Sequence, residues 1–536
     1  MDDLRRRANE GHDRNTGNLG WGERPLSRRQ LIHGAGALAT LGLAGLTGLD
    51  RGARRASAAG PGTRAIQAAA LRLADTVSVD DVHSFVSRPD LQPPVVNINT
   101  YSQGWQDASP NYIFLATKGY LGAAPGQPGL MIVDRYGRLI WFKPISPASP
   151  FDFNMQSYKG QPALTWWQGK VGPGIGYGEG QIANSQYGTT NTVHAGDGLQ
   201  ADLHELLITS AGTALITAYQ TTTTNMSSLK GPDKGPVYAC HAQEIDLATG
   251  KVLLDWNSLS HIALDESYLG LPSGKAKGTP MDYFHINSVQ EMQNGNLLIS
   301  GRNTWAIYEV DRSTGKVLWR MNGKRSDFKM GAGSNFYWQH HAVPHANGLF
   351  TVFDDGSSPP EEKQSRGLLL FVDTRTMHVS LKQAYINPAG FIAANQGSVQ
   401  LLADGRVFVG WGNQPYFSEF APDGTLLMDG QLPLNVQSYR AFTYDWTGKP
   451  PGSPDVAVRP NPAGGFIVYM SWNGATEVEK WTVLAGSVAS RMEPVGSQYW
   501  ADFETAIAVN SGGPKFCAVA LDGSGKELGR SAVVNA

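Results

Sequence analysis

Two histidines stand at the same distance from a turn glycine, and a third lies two residues off that register. His204 lies eight residues before Gly212, and His340 lies eight before Gly348. Eight before Gly295 stands Asn287, with His285 two residues ahead of it, and Gly397 takes the same place before Gly405. Each glycine opens onto a short apolar strand, so the positions repeat from unit to unit. Where repeated units surround one axis, His204, His285, Asn287 and His340 converge on it. Residues two apart on a strand share a face, which joins His285 with Asn287. Arg302 lies just past the apolar strand that follows Gly295 and reaches the same region. His341 alternates to the opposite face and is the weaker candidate. An imidazole nitrogen attacks electrophilic sulfur or phosphorus as a nucleophile. The guanidinium, the amide and a second imidazole suit the negative charge spread over the transferred oxygens. An imidazole also protonates a leaving oxygen. Zinc would accept three histidines. A metal site, however, usually carries acids behind its ligands, and no carboxylate stands in register here. No metal or other cofactor is therefore expected.

The elements that position these residues are strands. Gly (63) and Pro (31) are plentiful and charged residues are only 17%, the composition of a turn-rich all-β chain. A short apolar strand after a small-residue turn recurs at 163–167, 214–219, 296–301, 349–354, 406–411 and 465–470. A second element, strand–Asp–turn Gly–strand, follows at 132–141, 244–253 and 308–319. Each unit amounts to about four strands that cannot bury their faces alone, and radial stacking solves that. The expected fold is a six-bladed β-propeller over residues 112–536, preceded by an N-terminal segment over 60–111 with a helical start at 64–75. Aromatic residues such as Trp305, Tyr337, Trp338, Trp411 and Trp472 are candidates for lining its mouth.

Residues 1–59 read as a twin-arginine export signal: Ser27-Arg28-Arg29-Gln30-Leu31-Ile32, an apolar run over 34–49, and a small-residue cleavage site at Ala56-Ser57-Ala58. The run is too short and too rich in Gly, Ala and Thr for a stable membrane anchor. The expected location is the cell envelope or the medium, reached through the twin-arginine export machinery. Of 44 Lys+Arg and 46 Asp+Glu, this segment holds 10 and 6, so the remainder has a net charge of −6. It carries no basic cluster, which argues against a nucleic-acid partner. The two cysteines, Cys240 and Cys517, form no C-x-x-C motif, and outside the cytoplasm they either pair or stay as separate thiols.

Asp282-Tyr-Phe-His285-Ile-Asn287 with Gly295-Asn-Leu-Leu-Ile-Ser-Gly-Arg302 resembles the arylsulfotransferases. So do Asp202-Leu-His-Glu205 and Trp338-Gln-His340. The likeness is to the bacterial arylsulfate sulfotransferases and their actinobacterial and fungal relatives, and it is good from about residue 112 to 356. It implies a six-bladed propeller that uses no nucleotide sulfate donor. A phenolic sulfate ester gives its sulfuryl group to a histidine, and a phenol then takes it. By this resemblance His340 is the sulfurylated nucleophile, and His285 and Asn287 meet the sulfate oxygens, with His285 a candidate acid. Arg302 clamps the sulfuryl group, and His204 is the remaining central histidine. Residues 60–94 are too short for the separate β domain of the enterobacterial members. Two other classes stay open. Asp246-Leu-Ala-Thr-Gly-Lys251 and Asp311-Arg-Ser-Thr-Gly-Lys316 resemble the blade-docking motif of quinone-cofactor dehydrogenases, although tight turns between outer strands explain them as well. A non-catalytic propeller could hold an envelope ligand with the same histidines and arginine.

Overall fold

The computed structural model describes residues 81–108, 110–119, 124–273, 277–510 and 513–536. The twin-arginine segment, its cleavage site and the helix expected at 64–75 lie outside these residues. The described chain is all-β, with only short 3-10 turns besides strands, and no helix in it is long and apolar enough to cross a membrane.

From residue 112 to 444 the chain builds antiparallel four-strand units. Tyr112–Gly119, Gly129–Asp134 and Leu139–Pro144 pair in order, and Val436–Tyr444, from the far end of the run, completes their sheet against Tyr112–Gly119. Ser149–Tyr158, Gln161–Val171, Gly176–Ala183 and Thr189–Val193 follow. One residue pair, Gly178 with Ala201, joins them to Ala201–Ile208, Ala214–Thr224, Gly235–Ile245 and Val252–Asn257. Next come Ile286–Glu291 to Val317–Met321, then His340–Pro344 to His378–Tyr385, then Ser398–Leu401 to Leu426–Gln431. The leading strands touch one another in turn. Val436–Tyr444 meets Ser149–Tyr158, then Ala201–Ile208, Ile286–Glu291, His340–Pro344 and Ser398–Leu401, which returns to Val436–Tyr444. The fold is therefore propeller-like, and its axis is lined by the strands that carry the histidines.

Packing between neighbouring sheets supplies the core. Leu298, Ile307 and Met321 of one sheet interlock with Phe350, Val352, Leu368 and Leu370 of the next, all buried. Each such side chain contributes roughly 1.5–3 kcal/mol by leaving water. Asp246 and Asp311 cap tight turns, each accepting two backbone N–H groups through Oδ1, as the turn reading of their motifs expects. Trp319 packs edge-on against Phe328 and Phe350 between sheets.

The strand pairings refine the repeat in two ways. The repeated apolar strands are the second strand of each unit; a leading strand, less apolar and irregular, precedes each on the axis side. The copy at 465–470 does not belong to the run. Phe466–Ser471 is the middle of a three-stranded sheet with Asp455–Pro460 and Glu504–Val509, beside a five-stranded sheet over residues 480–535. Neither sheet shares a strand with those over 112–444. The span 112–536 thus joins what the hydrogen-bonded sheets divide, because alternation along a strand does not reveal which sheet it enters. The second sheet pair is tied on by Asn473 to Phe142, Glu504 to Val86 and Ser87, and Arg138 over Trp500. Cys240 and Cys517 are separate buried thiols in different sheets.

One outer-strand carboxyl carries a pH prediction. Asp429 is 1% exposed, and its Oδ1 accepts from Ser418 Oγ at 2.6 Å and Asn387 Nδ2 at 2.8 Å. These partners are neutral, and burial pushes the carboxyl up to about 7. A carboxyl raised on folding favours its protonated form in the fold. Stability is complete below the unfolded value of about 4 and is lost as pH rises toward 7. Asp429→Asn is expected to remove that slope and to melt higher than wild type at pH 8. Thermal melts of both proteins at pH 5 and pH 8 check this, and an unchanged slope in the variant contradicts it.

Candidate active site

The leading strands are bulged where they face the axis. Pairing jumps between Ile216 and Ala218 opposite the His204 strand, skips Asn287, and jumps between His340 and Val343. It jumps again between Phe151 and Asn154, and opposite Tyr439 and Arg440. Bulges re-aim side chains and gather at functional sites. Here they turn successive residues such as Tyr439 and Arg440 toward the centre. His285 sits just before its strand with φ 54°, and Gly397 fills its register position with backbone alone. A side chain at Gly397 would meet the Phe353 ring at 2.5 Å.

The three histidines come together as the register predicts. His204, His285 and His340 are all buried, and one ring nitrogen of each lies within 4.8 Å of the others. The His204 ring centre is 4.9 Å from that of His285 and 6.4 Å from that of His340. Each Nδ1 is held by a carboxylate: His204 by Asp202, His285 by Asp282 at 2.5 Å, and His340 by Asp355 at 2.8 Å. Asp202 is fixed in turn by Gly176 N–H at 2.6 Å and Thr217 Oγ1 at 3.2 Å. A carboxylate on Nδ1 sets the tautomer and leaves the Nε2 lone pair facing away from it. The Gln396 N–H points at His340 Nε2 from 3.4 Å, which marks that nitrogen as an acceptor.

Burial lowers the basicity of His285, against the pull of Asp282. His340 is driven well below the ordinary histidine range by burial first, then by Arg302, His204 and His285. The ring is therefore neutral at neutral pH, the form a nucleophile needs. Arg302 is tied to the same place: its backbone N–H donates to His285 O at 3.0 Å. Its guanidinium donates to Asn303 Oδ1 and Ala394 O and lies 5.1 Å over the Trp338 ring. Asn287 differs from expectation. Its Nδ2 donates to Gln339 O at 2.6 Å, so the amide braces the backbone beside His340. His341 faces elsewhere, its Nδ1 accepting from Val399 N–H at 3.2 Å.

Several residues at the site escaped sequence reasoning. Asp202 and Asp282 stand two and three residues before their histidines, inside the motifs that drew attention. They sit off the register that links the histidines, and Asp355 has no such local signal. Tyr219 and Tyr439 line the cluster, with ring centres 6.1 Å and 5.9 Å from that of His204. Lys118 is buried 4.0 Å over the Phe151 ring, with no hydrogen-bond partner among the described residues, and burial lowers it to about 7. Of the expected mouth aromatics, Trp305 stacks on Tyr268 at 3.4 Å and meets Tyr337 and Trp338 edge-on beside Arg302. Trp411 packs on Phe353 and Phe391, and Trp472 lies in the C-terminal sheets.

Solved structures with similar outlines are remote. A protein of unknown function from Bacteroides caccae is 12% identical with TM-score 0.37, over 62% of this chain and 98% of its own. A catalytically inactive virginiamycin B lyase from Staphylococcus aureus is 7% identical with TM-score 0.33, over 71% and 97%. An auxiliary nutrient binding protein from Bacteroides ovatus is 11% identical with TM-score 0.31, over 67% and 74%. No curated protein matches the sequence. The sequence model of the arylsulfotransferase (ASST) family matches residues 154–432, more than half of the chain, including all three histidines with Asp202, Asp282, Asp355 and Arg302. The chain belongs to the arylsulfotransferase family.

Proposed function

We propose that this protein is an aryl sulfotransferase that moves a sulfuryl group from a phenolic sulfate ester to a phenol through a sulfohistidine, with no nucleotide sulfate donor. The observation that carries the reading is the carboxylate-held imidazole of His340 at the centre of a histidine cluster beside Arg302. His340 Nε2 attacks sulfur, the sulfur–oxygen bond to the aryl group breaks, and the leaving oxygen takes a proton from the imidazolium form of His285. In the second half, the acceptor oxygen attacks sulfur, the sulfur–Nε2 bond breaks, and the acceptor proton returns to His285. Arg302 and His204 stabilise the oxygens, and the Trp305–Trp338 pair offers faces for a phenol ring. The four-strand units over 112–444 are read as six blades of a closed ring, supported by the returning chain of contacts among leading strands. Export by the twin-arginine route to the envelope or medium, and membership of the actinobacterial and fungal branch, rest on the sequence.

The direct test is intact mass after mixing the mature chain with an aryl sulfate and no acceptor. One added sulfuryl group per chain is expected, with one equivalent of phenol released. Phenol release without an adduct on any histidine defeats the covalent route. Asp355→Asn is a second prediction. An amide on Nδ1 no longer enforces the tautomer that frees Nε2, so adduct formation is expected to slow by about 10²-fold or more. Rapid-mixing measurement of phenol release checks this, with Asp355→Glu recovering part of the rate.

A further inference from the structure

The charges around the three imidazoles are not those of a simple anion site. Asp202, Asp282 and Asp355 each stand behind one histidine, and all six side chains lie in or beside the buried centre. Each imidazole of the cluster is thus backed by a carboxylate, the arrangement that stands behind histidine ligands of bound metals.

The donor geometry points the same way. Each Nδ1 is occupied by a carboxylate, so the nitrogen left to each ring is Nε2, which on His340 faces the Gln396 N–H at 3.4 Å and has to release it to take a metal; one nitrogen from each ring falls within 4.8 Å of the other two. Ligands on a tetrahedral first-row ion stand about 3.4 Å apart, from metal–nitrogen bonds of about 2.1 Å. A shared ion has to draw the three nitrogens closer together than they stand here. Three imidazoles, each backed by a carboxylate, form the donor set of a zinc-type centre. The acids that were missing from the register are thus present in space.

We infer that His204, His285 and His340 bind one divalent first-row transition-metal cation through their Nε2 atoms, and that metal and sulfuryl group compete for the His340 lone pair. The first part stands on the geometry alone; the competition rests on the sulfotransfer reading. Metal occupancy would then hold the transferase silent, and a chelator would release it.

The test uses the mature chain stripped with a chelator, then titrated with Zn²⁺ alone, with Co²⁺ as the spectroscopic probe. One equivalent is expected to bind, and Co²⁺ is expected to give the absorption of a nitrogen-ligated site. His204→Ala and His285→Ala are each expected to abolish binding. Asp282→Asn, which keeps all three imidazoles, is expected to weaken it 10- to 100-fold. His241→Ala, outside the cluster, leaves it unchanged and controls for surface histidines. Near-ultraviolet circular dichroism identifies any variant that fails to fold. No stoichiometric binding at about 10 μM Zn²⁺, or binding that survives both alanine variants, overturns the metal site. Zn²⁺ is further expected to suppress adduct formation with a midpoint equal to its Kd, and full adduct formation by the loaded protein overturns the competition. If the stripped protein forms no adduct while Zn²⁺ binds, the sulfotransfer reading fails and the metal site stands.

Discussion

His340→Ala is expected to lower sulfuryl transfer by at least about 10³-fold while leaving the protein folded, because it removes the atom that carries the transferred group. Neighbours cannot substitute. His204 and His285 lie across the cluster, and each has its own carboxylate and orientation. The structural cost is limited. The bond to Asp355 is lost, and a buried carboxylate that loses one partner costs about 1–3 kcal/mol. The strand is still braced by Asn287 Nδ2 on Gln339 O and by the Gln339 side chain on Ser300, Gly301 and Ala306. The measurement is phenol release together with intact mass. The expected result is no adduct, slow release and a modest drop in melting temperature. Added imidazole, seated in the vacated space beside Asp355, is expected to restore part of the release without marking the protein. Release at the wild-type rate with no imidazole would place the nucleophile elsewhere.

The histidine register was readable because one strand–turn–strand unit recurs with a fixed offset to its turn glycine. Its coarse message, convergence of His204, His285 and His340, needs only offsets of eight to ten residues in units that surround one axis. Its finer message needs regular pleating, and there it broke down. The leading strands are bulged, so the rule that residues two apart share a face did not carry from His285 to Asn287, whose amide braces Gln339 instead. The same irregularity hid the acids. Asp202 and Asp282 are near in sequence but off the register, and Asp355 reaches His340 from just past the end of the adjoining strand. Acids therefore do back the histidines in space, although none stands in register along the strands. Closure was hidden too. Val436–Tyr444 is an unremarkable strand by composition, and only its pairing with Tyr112–Gly119 shows that it completes the first sheet, whereas the more regular 465–470 copy belongs elsewhere.

Arg440 has the largest expected effect on stability. It is 1% exposed and sits where four leading strands meet. Its Nη1 donates to Asp152 Oδ1 at 2.9 Å and Glu205 Oε1 at 2.8 Å, and its Nη2 donates to Glu205 Oε2 and Asn287 O, both at 3.2 Å. Gln290 and the Leu206 N–H complete the carboxylates. The planar guanidinium thus ties together four leading strands of three hydrogen-bonded sheets, including those that carry His204 and Asn287. Burial drives the Asp152 carboxyl upward, and Arg440 opposes that rise. Arg440→Leu leaves two carboxylates in a dry interior with no cation, and breaking a buried ion pair by removing one partner costs about 3–5 kcal/mol. Arg440→Lys keeps the charge but lacks the fork that reaches both acids and the Asn287 carbonyl, so it is expected to recover only part. Combining Arg440→Leu with Asp152→Asn and Glu205→Gln removes the stranded charges and is expected to regain more stability than either carboxylate change alone. Denaturant unfolding of the series checks this order. If Arg440→Leu unfolds at the wild-type midpoint, the central ion cluster does not hold the strands together, and Tyr439, whose ring stands beside His204 and His340, would have to be positioned by packing alone.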